Sequence, residues 1–180
     1  MTIVDKWGNV VSMTTTVESG FGAWRMVRGF ILNNQLTDFS AAPADGAGVP
    51  IANRVQPGKR PRSSMSPTLV FDRRNGQLLM SLGSPGGPAI IHFTAKTLMG
   101  GLPWGLNAQQ AIDLPNFGSF NGPTVLEAGR FPPATVAALK ARGHQVVETD
   151  LPSGLQALQR TPVGWFGGAD PRREGVVMGE

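Results

Sequence analysis

The sequence predicts an α+β fold. Short β-branched runs open and close the chain, stretches at helical spacing lie between them, and 24 Gly and 15 Pro recur as small clusters separating the apolar runs. At 180 residues, 41% of them apolar, the chain is long enough for one sizeable core or for a layered part of a larger one. A single domain over 1–180 is the expectation.

The opening reads as a hairpin: Thr2 to Lys6 is one β-type run, Trp7-Gly8-Asn9 supplies the turn, and Val10 to Val17 is the return strand. Phe30-Ile31-Leu32 is a short apolar run ending at Asn33-Asn34, and the Pro/Gly/Ala-rich stretch from Ala41 to Arg62 reads as a long loop and a candidate lid. Strands at Thr68 to Phe71 and Leu78 to Leu82 flank the polar turn Asp72-Arg73-Arg74-Asn75-Gly76. The second runs into Gly83-Ser84-Pro85-Gly86-Gly87, beyond which Ile90, Ile91, Thr94, Leu98 and Met99 lie at helical spacing. Asn107 with Gln110 resembles a capping box opening a short helix that Pro115 stops. Pro132 and Pro133 open another helix, which Gly143 closes. Val146 to Thr149, Leu155 to Gln159 and Val163 to Phe166 read as strands.

Composition excludes several functions. Without cysteine, and with only His92 and His144, the chain has neither a disulfide framework nor the ligands of a structural metal site. No apolar stretch approaches the ~18 residues that span a bilayer, so no membrane association is expected. The compartment stays open. The formal charge of +4 centres on Arg54, Lys59, Arg60 and Arg62. With no aromatic platform beside them and no Tyr in the chain, nucleic acid is a poor partner for these residues, and a solvated basic loop or one facing an anion or another subunit fits better.

Chemistry concentrates in three places. Gly86 and Gly87 put adjacent backbone N–H groups at the mouth of a helix, which suits an oxyanion hole or, more plainly, a tight strand-to-helix turn. The segment fits neither phosphate-binding glycine motif, and no cofactor is expected. Ser63-Ser64, behind the basic stretch, could hold a carboxylate or form a Ser-rich turn. Gln35 and Asp38 could hold an ammonium group or be solvated. A Ser84, His92, Asp38 triad can be drawn, but no nucleophile elbow supports it and His92 reads as a core histidine.

The chain carries, in order, Ile3-Val4-Asp5-Lys6 with Gly8-Asn9, Thr14-Thr15-Thr16, Leu32-Asn33-Asn34-Gln35 with Asp38-Phe39-Ser40, the run from Lys59 to Thr68, Gly83 to Gly87, and Ala169 to Gly175. Over nearly the whole chain these ordered blocks resemble the small subunit of γ-glutamyltranspeptidases. The resemblance implies an N-terminal-nucleophile hydrolase-like αββα sandwich shared with a large subunit of the same precursor. It also implies cleavage of γ-glutamyl amides, glutathione among them, by hydrolysis or transfer through a γ-glutamyl-threonine ester, and favours a periplasmic or secreted setting. By the same resemblance, Gly86 and Gly87 receive the oxyanion and Thr16 lies against the nucleophile. Ser63 and Ser64 hold the substrate α-carboxylate, while Gln35 and Asp38, with Glu18, hold its α-amino group. Glu18 departs from the asparagine found in many members and could mark a different acyl group, as in related β-lactam acylases. The family's nucleophile belongs to a Thr-Thr-His-like segment about four residues before the position of Thr2, ~13 Å along an extended strand. The expectation is therefore a chain truncated at its N-terminus and inactive alone. A non-catalytic domain binding a partner through the Arg54 to Arg62 loop is the alternative.

Overall fold

A computed structural model describes residues 1–179. The elements are β1 (Thr2–Val4), β2 (Val10–Ser12), β3 (Met26–Val27), β4 (Phe30–Ile31), β5 (Thr68–Phe71), β6 (Leu78–Gly83), α1 (Ile90–Gly101), α2 (Ala108–Asp113), β7 (Phe117–Ser119), β8 (Thr124–Glu127), α3 (Pro133–Ala141), β9 (Val146–Thr149), β10 (Gln156–Thr161) and β11 (Gly164–Ala169). The α+β reading holds. Where the sequence reads as one domain, the chain forms two compact units: Met1–Thr14 with everything from Ser64 onward, and Thr15–Ser63.

The first unit is built on an antiparallel sheet in the order β11-β10-β6-β5. Alternation along β6 divides its side chains between two faces. Met80 and Leu82 enter a core with Phe93 of α1, Ala108 and Ile112 of α2, and Leu155 and Ala157. Ser81, pointing the other way, meets the hairpin β1–β2: its hydroxyl bonds that of Thr2, and Ser12 Oγ donates to Leu82 O at 3.1 Å. The order is thus hairpin, sheet, helices. Asp5 closes the hairpin by accepting from the backbone N–H groups of Trp7 and Asn9, which stops the strands short of the predicted Lys6 and Val17.

Two predictions for this unit need correction. Of the residues read at helical spacing on α1, Ile90 and Thr94 are buried and Leu98 packs against the core, but Ile91 and Met99 are exposed; the buried face also carries Phe93, Lys96, Thr97, Gly100 and Gly101. The cause is close helix packing, since a Cβ on Gly100 would stand 2.9 Å from the Cβ of Ala111 on α2. The stretch between α2 and α3, not assigned as strand from sequence, holds β7 and β8; β8 also pairs in parallel with β9 across α3. The predicted capping box is present, with reciprocal bonds between Asn107 and Gln110 of 2.9 and 3.1 Å.

A buried polar cluster ties the helices to the end of the chain. Arg172 bonds both oxygens of Glu127 at 2.6 and 2.8 Å, Asp170 Oδ1 at 3.1 Å, and the carbonyls of Ile112 and Leu114. Lys96 Nζ donates to the same two carbonyls, each at 2.8 Å. Burial pushes the Lys96 amine down to about 8, and the neighbouring Arg172 charge acts in the same direction. A neutral amine still has two N–H donors, enough for both carbonyls. Burial works against the Glu127 carboxylate, but the Arg172 bonds and the Asn116 N–H outweigh it and hold its pKa below the usual value.

The second unit holds the β3–β4 hairpin, whose two-residue loop, Arg28-Gly29, has φ of 50° and 84°, the pattern of a type I′ turn. Asn34 organises the segments around it, accepting from Ser19 N at 3.0 Å and donating to Ser19 Oγ at 2.7 Å. The predicted long loop has no helix or named strand but is internally tied. Asp45 caps a tight turn through Ala47 and Val49, while Asn53 donates to Asp38 O at 2.7 Å and accepts from Arg62 N at 3.0 Å.

Between about pH 8 and 10.5 the unfolded chain keeps a proton on Lys96 that the folded chain has released, so this group's contribution to stability rises with pH in that window. Urea unfolding across it is expected to show the wild-type protein gaining stability relative to Lys96→Met. Parallel curves would contradict the assignment.

Candidate functional site

β6 delivers the chain to the glycine-rich turn, and Ser84 fixes the turn's shape. Its hydroxyl, almost fully buried, donates to Pro85 O at 2.7 Å and accepts from Gly154 N at 3.1 Å. Gly86 follows with φ of 140° and Gly87 with φ of 55°. Glycine is required at Gly86 for two reasons: the left-handed backbone, and Phe93, whose ring edge would stand 2.5 Å from an added Cβ. Gly87 is exposed and begins a single 3-10 turn, Gly87–Ala89, that runs directly into α1. Backbone donors and the positive end of a 12-residue helix therefore coincide at an open position, an arrangement able to stabilise a developing negative charge.

In the second unit, Thr16, Glu18 and Gln35 are brought together. Thr16 Oγ1 accepts from Glu18 N at 2.8 Å, and Gln35 Nε2 donates to Thr16 O at 3.0 Å. Glu18 adopts φ of 78°, uncommon for a side chain with a Cβ, and its carboxylate accepts from Ser19 Oγ. Gln35 Oε1 is buried and has no hydrogen-bond partner among the described residues. Asp38 ends the 3-10 turn Gln35–Asp38, half-buried, with its backbone carbonyl held by Asn53. The cluster brings the Glu18 carboxylate and the orphan Gln35 acceptor to one segment, groups that an ammonium could satisfy.

Ser63 closes the second unit and Ser64 opens the long segment of the first. Ser64 is half-buried, and its carbonyl accepts from Ser66 Oγ at 2.8 Å just before β5. The Ser84, His92, Asp38 triad is not formed. Ser84 Oγ is used by Pro85 and Gly154, and the His92 ring packs edge-on against Phe120 with centroids 5.0 Å apart. His144, exposed, bonds Thr124 Oγ1 ahead of β9. Lys59 and Arg54 of the basic stretch bond the carbonyls of Ala52 and Ile51 within their own loop. No cluster of His, Cys, Asp and Glu suited to a metal ion occurs among the described residues. Sequence reasoning missed Asn34 and Arg172, although both lie in quoted blocks; nothing in a single sequence marks them as hubs.

The family model described as Gamma-glutamyltranspeptidase matches residues 1–180. The chain belongs to this family. A glutathione hydrolase proenzyme of Bacillus subtilis (strain 168) is 36% identical over 183 residues, covering 99% of this chain and 30% of that protein. An acylase, the ACY 1 proenzyme of Pseudomonas sp. (strain SE83), is 33% identical over 172 residues, covering 94% and 29%. Among solved structures, the T380A mutant of Helicobacter pylori γ-glutamyltranspeptidase superposes with a TM-score of 0.85 at 30% identity, covering 96% of this chain and 98% of that one. This chain thus spans less than a third of the length of these two relatives.

The two glycines are separable by substitution. Gly86→Ala meets both strain and Phe93 and is expected to cost about 2–3 kcal/mol. Gly87→Ala has only the left-handed backbone to resist and should cost about 1–2 kcal/mol. Thermal unfolding measures both, and equal losses would contradict the packing described for Phe93.

Proposed function

We propose that this chain is the small-subunit part of an N-terminal-threonine hydrolase that cleaves γ-glutamyl amides, glutathione among them, or transfers the γ-glutamyl group to an amine. The observation that carries the reading is the direction of the first strand. Ser12 bonds Leu82, and Thr14 Oγ1 lies 3.7 Å from the position a Cβ on Gly83 would take, so β2 runs along β6 toward the glycine turn. β1 is antiparallel to β2, which sends the line of β1 before Thr2 toward Gly86 and Gly87. Thr2 itself is bonded to Ser81, short of the turn, which supports a nucleophile other than Thr2.

In this reading a threonine lying before Thr2 on that line attacks the γ-carbonyl, its α-amine taking the hydroxyl proton. The N–H groups of Gly86 and Gly87 receive the oxyanion. Collapse breaks the amide bond, the leaving amine takes the proton, and water or an acceptor amine then resolves the ester. Family resemblance assigns Thr16 to support the nucleophile. Glu18, Gln35 and Asp38 hold the α-amino group, with Gln35 Oε1 as the waiting acceptor, and Ser63 and Ser64 hold the α-carboxylate. The partner is the large subunit of the same precursor. Exposed Phe21, Trp24, Met26, Phe30 and Leu36 of the second unit give it an apolar surface to cover.

Glu18 supports a second reading, in which the acyl group is a dicarboxylic one such as glutaryl. The acylase relative keeps that reading open, and glutathione hydrolase relatives of higher identity favour the first. The purified 180-residue chain is expected to release no p-nitroaniline from γ-glutamyl-p-nitroanilide, whereas the enzyme assembled from its precursor turns it over; activity of the chain alone would refute the assignment of the nucleophile. In that assembled enzyme, Glu18→Asn should leave γ-glutamyl turnover within about threefold if Glu18 serves the α-amino group. A gain of tenfold or more for γ-glutamyl over glutaryl amides would instead favour the acylase reading.

A further inference from the structure

Two sheets that stack through apolar side chains can slide, because hydrophobic contact has no direction. The contact between β1–β2 and β6 is of another kind. Ser81 is fully buried, and its hydroxyl bonds the Thr2 hydroxyl. Ser12 Oγ bonds Leu82 O at 3.1 Å. At the next position Gly83 leaves only the room that Gln156 Nε2 and Thr14 Oγ1 occupy, 2.9 and 3.7 Å from where its Cβ would be. Two successive residues of β6, Ser81 and Leu82, are therefore matched to Thr2 and Ser12 by hydrogen bonds whose distances tolerate only a few tenths of an ångström, and Thr14 packs beside the third, Gly83. β6 continues without a joint into Gly86 and Gly87, whose own shape Ser84 locks.

We propose that Thr2 and Ser81 act as a positioning pair, a hydroxyl pin that sets the first strand in register with the oxyanion-binding turn. The inference rests on the activity proposed above. Sliding β1 along β6 would move the reactive hydroxyl relative to Gly86 and Gly87, whereas Glu18, Gln35 and Asp38 belong to neither strand. The pin thus acts on the chemical step rather than on binding.

In the enzyme assembled from its precursor, Thr2→Val keeps the side-chain shape and removes the hydroxyl, while Thr2→Ser keeps the hydroxyl. Thr2→Val and Ser81→Ala are each expected to lower kcat for γ-glutamyl-p-nitroanilide about tenfold with KM unchanged, the scale of one lost hydrogen bond. Thr2→Ser should retain wild-type kcat, and the double variant Thr2→Val/Ser81→Ala should fall no further than either single one. A kcat unmoved by Thr2→Val, or Thr2→Ser falling as far, overturns the proposal. If the wild-type enzyme turns over no acyl amide, the activity itself is wrong, and the pin is then read by amide hydrogen exchange in the 180-residue chain. Thr2→Val should speed exchange in β1 and β2 about tenfold and leave β10 unchanged; equal rates in both regions overturn the pin.

Discussion

The first unit depends on one buried ion cluster, the fork of Arg172 on Glu127 with Asp170 beside it. Removing Arg172 would strand both carboxylates without their cation, at a cost of about 3–5 kcal/mol. The carbonyls of Ile112 and Leu114, left over at the end of α2, are satisfied by Arg172 and Lys96 together. Asp170 in turn accepts from Ser153 Oγ and Leu155 N, which fixes the entry to β10. The guanidinium thereby joins the chain's last segment to the end of α2 and to β8, while Lys96 brings α1 to the same two carbonyls.

Local signals were the legible part of the fold. The Trp7 to Asn9 turn, the Asp72 to Gly76 turn, and the Asn107 and Gln110 box each act within a few residues, and each produced the element read from it. The buried face of α1 was only partly legible. Lys96 and Gly100 are counted as exposed and as helix-weakening by any local rule, and only carbonyls sixteen or eighteen positions away, and the close approach of α2, explain why they are inside. β7 and β8 escaped notice for a similar reason: they are short and interrupted by Gly118 and the Asn121-Gly122-Pro123 turn, and β8 draws half its pairing from β9.

The site was legible as residue types and only partly as geometry. Gly86 and Gly87 were read as a strand-to-helix turn at a helix mouth, and that is their conformation. That Gln35 reaches Thr16 while keeping an unpaired acceptor belongs to a backbone path no spacing announces, because Glu18 must first turn through a left-handed conformation. The same holds for the seam of hydroxyls under the first hairpin. Thr2, Ser12 and Ser81 are unremarkable in sequence, and their meeting is a product of the sheet order.

That order also bears on how the protein is made. β10 sits between β6 and β11, and its residue Gln159 pairs with Met80, so the central strand leaves the ribosome long before its neighbour exists. During synthesis β6 has only β5 beside it. Its second edge and the apolar side chains of Met80 and Leu82 stay uncovered until α2 and β10 have followed. A nascent chain in that state is a client for holding chaperones, and rare codons or pauses between β6 and β10 would lengthen its exposure.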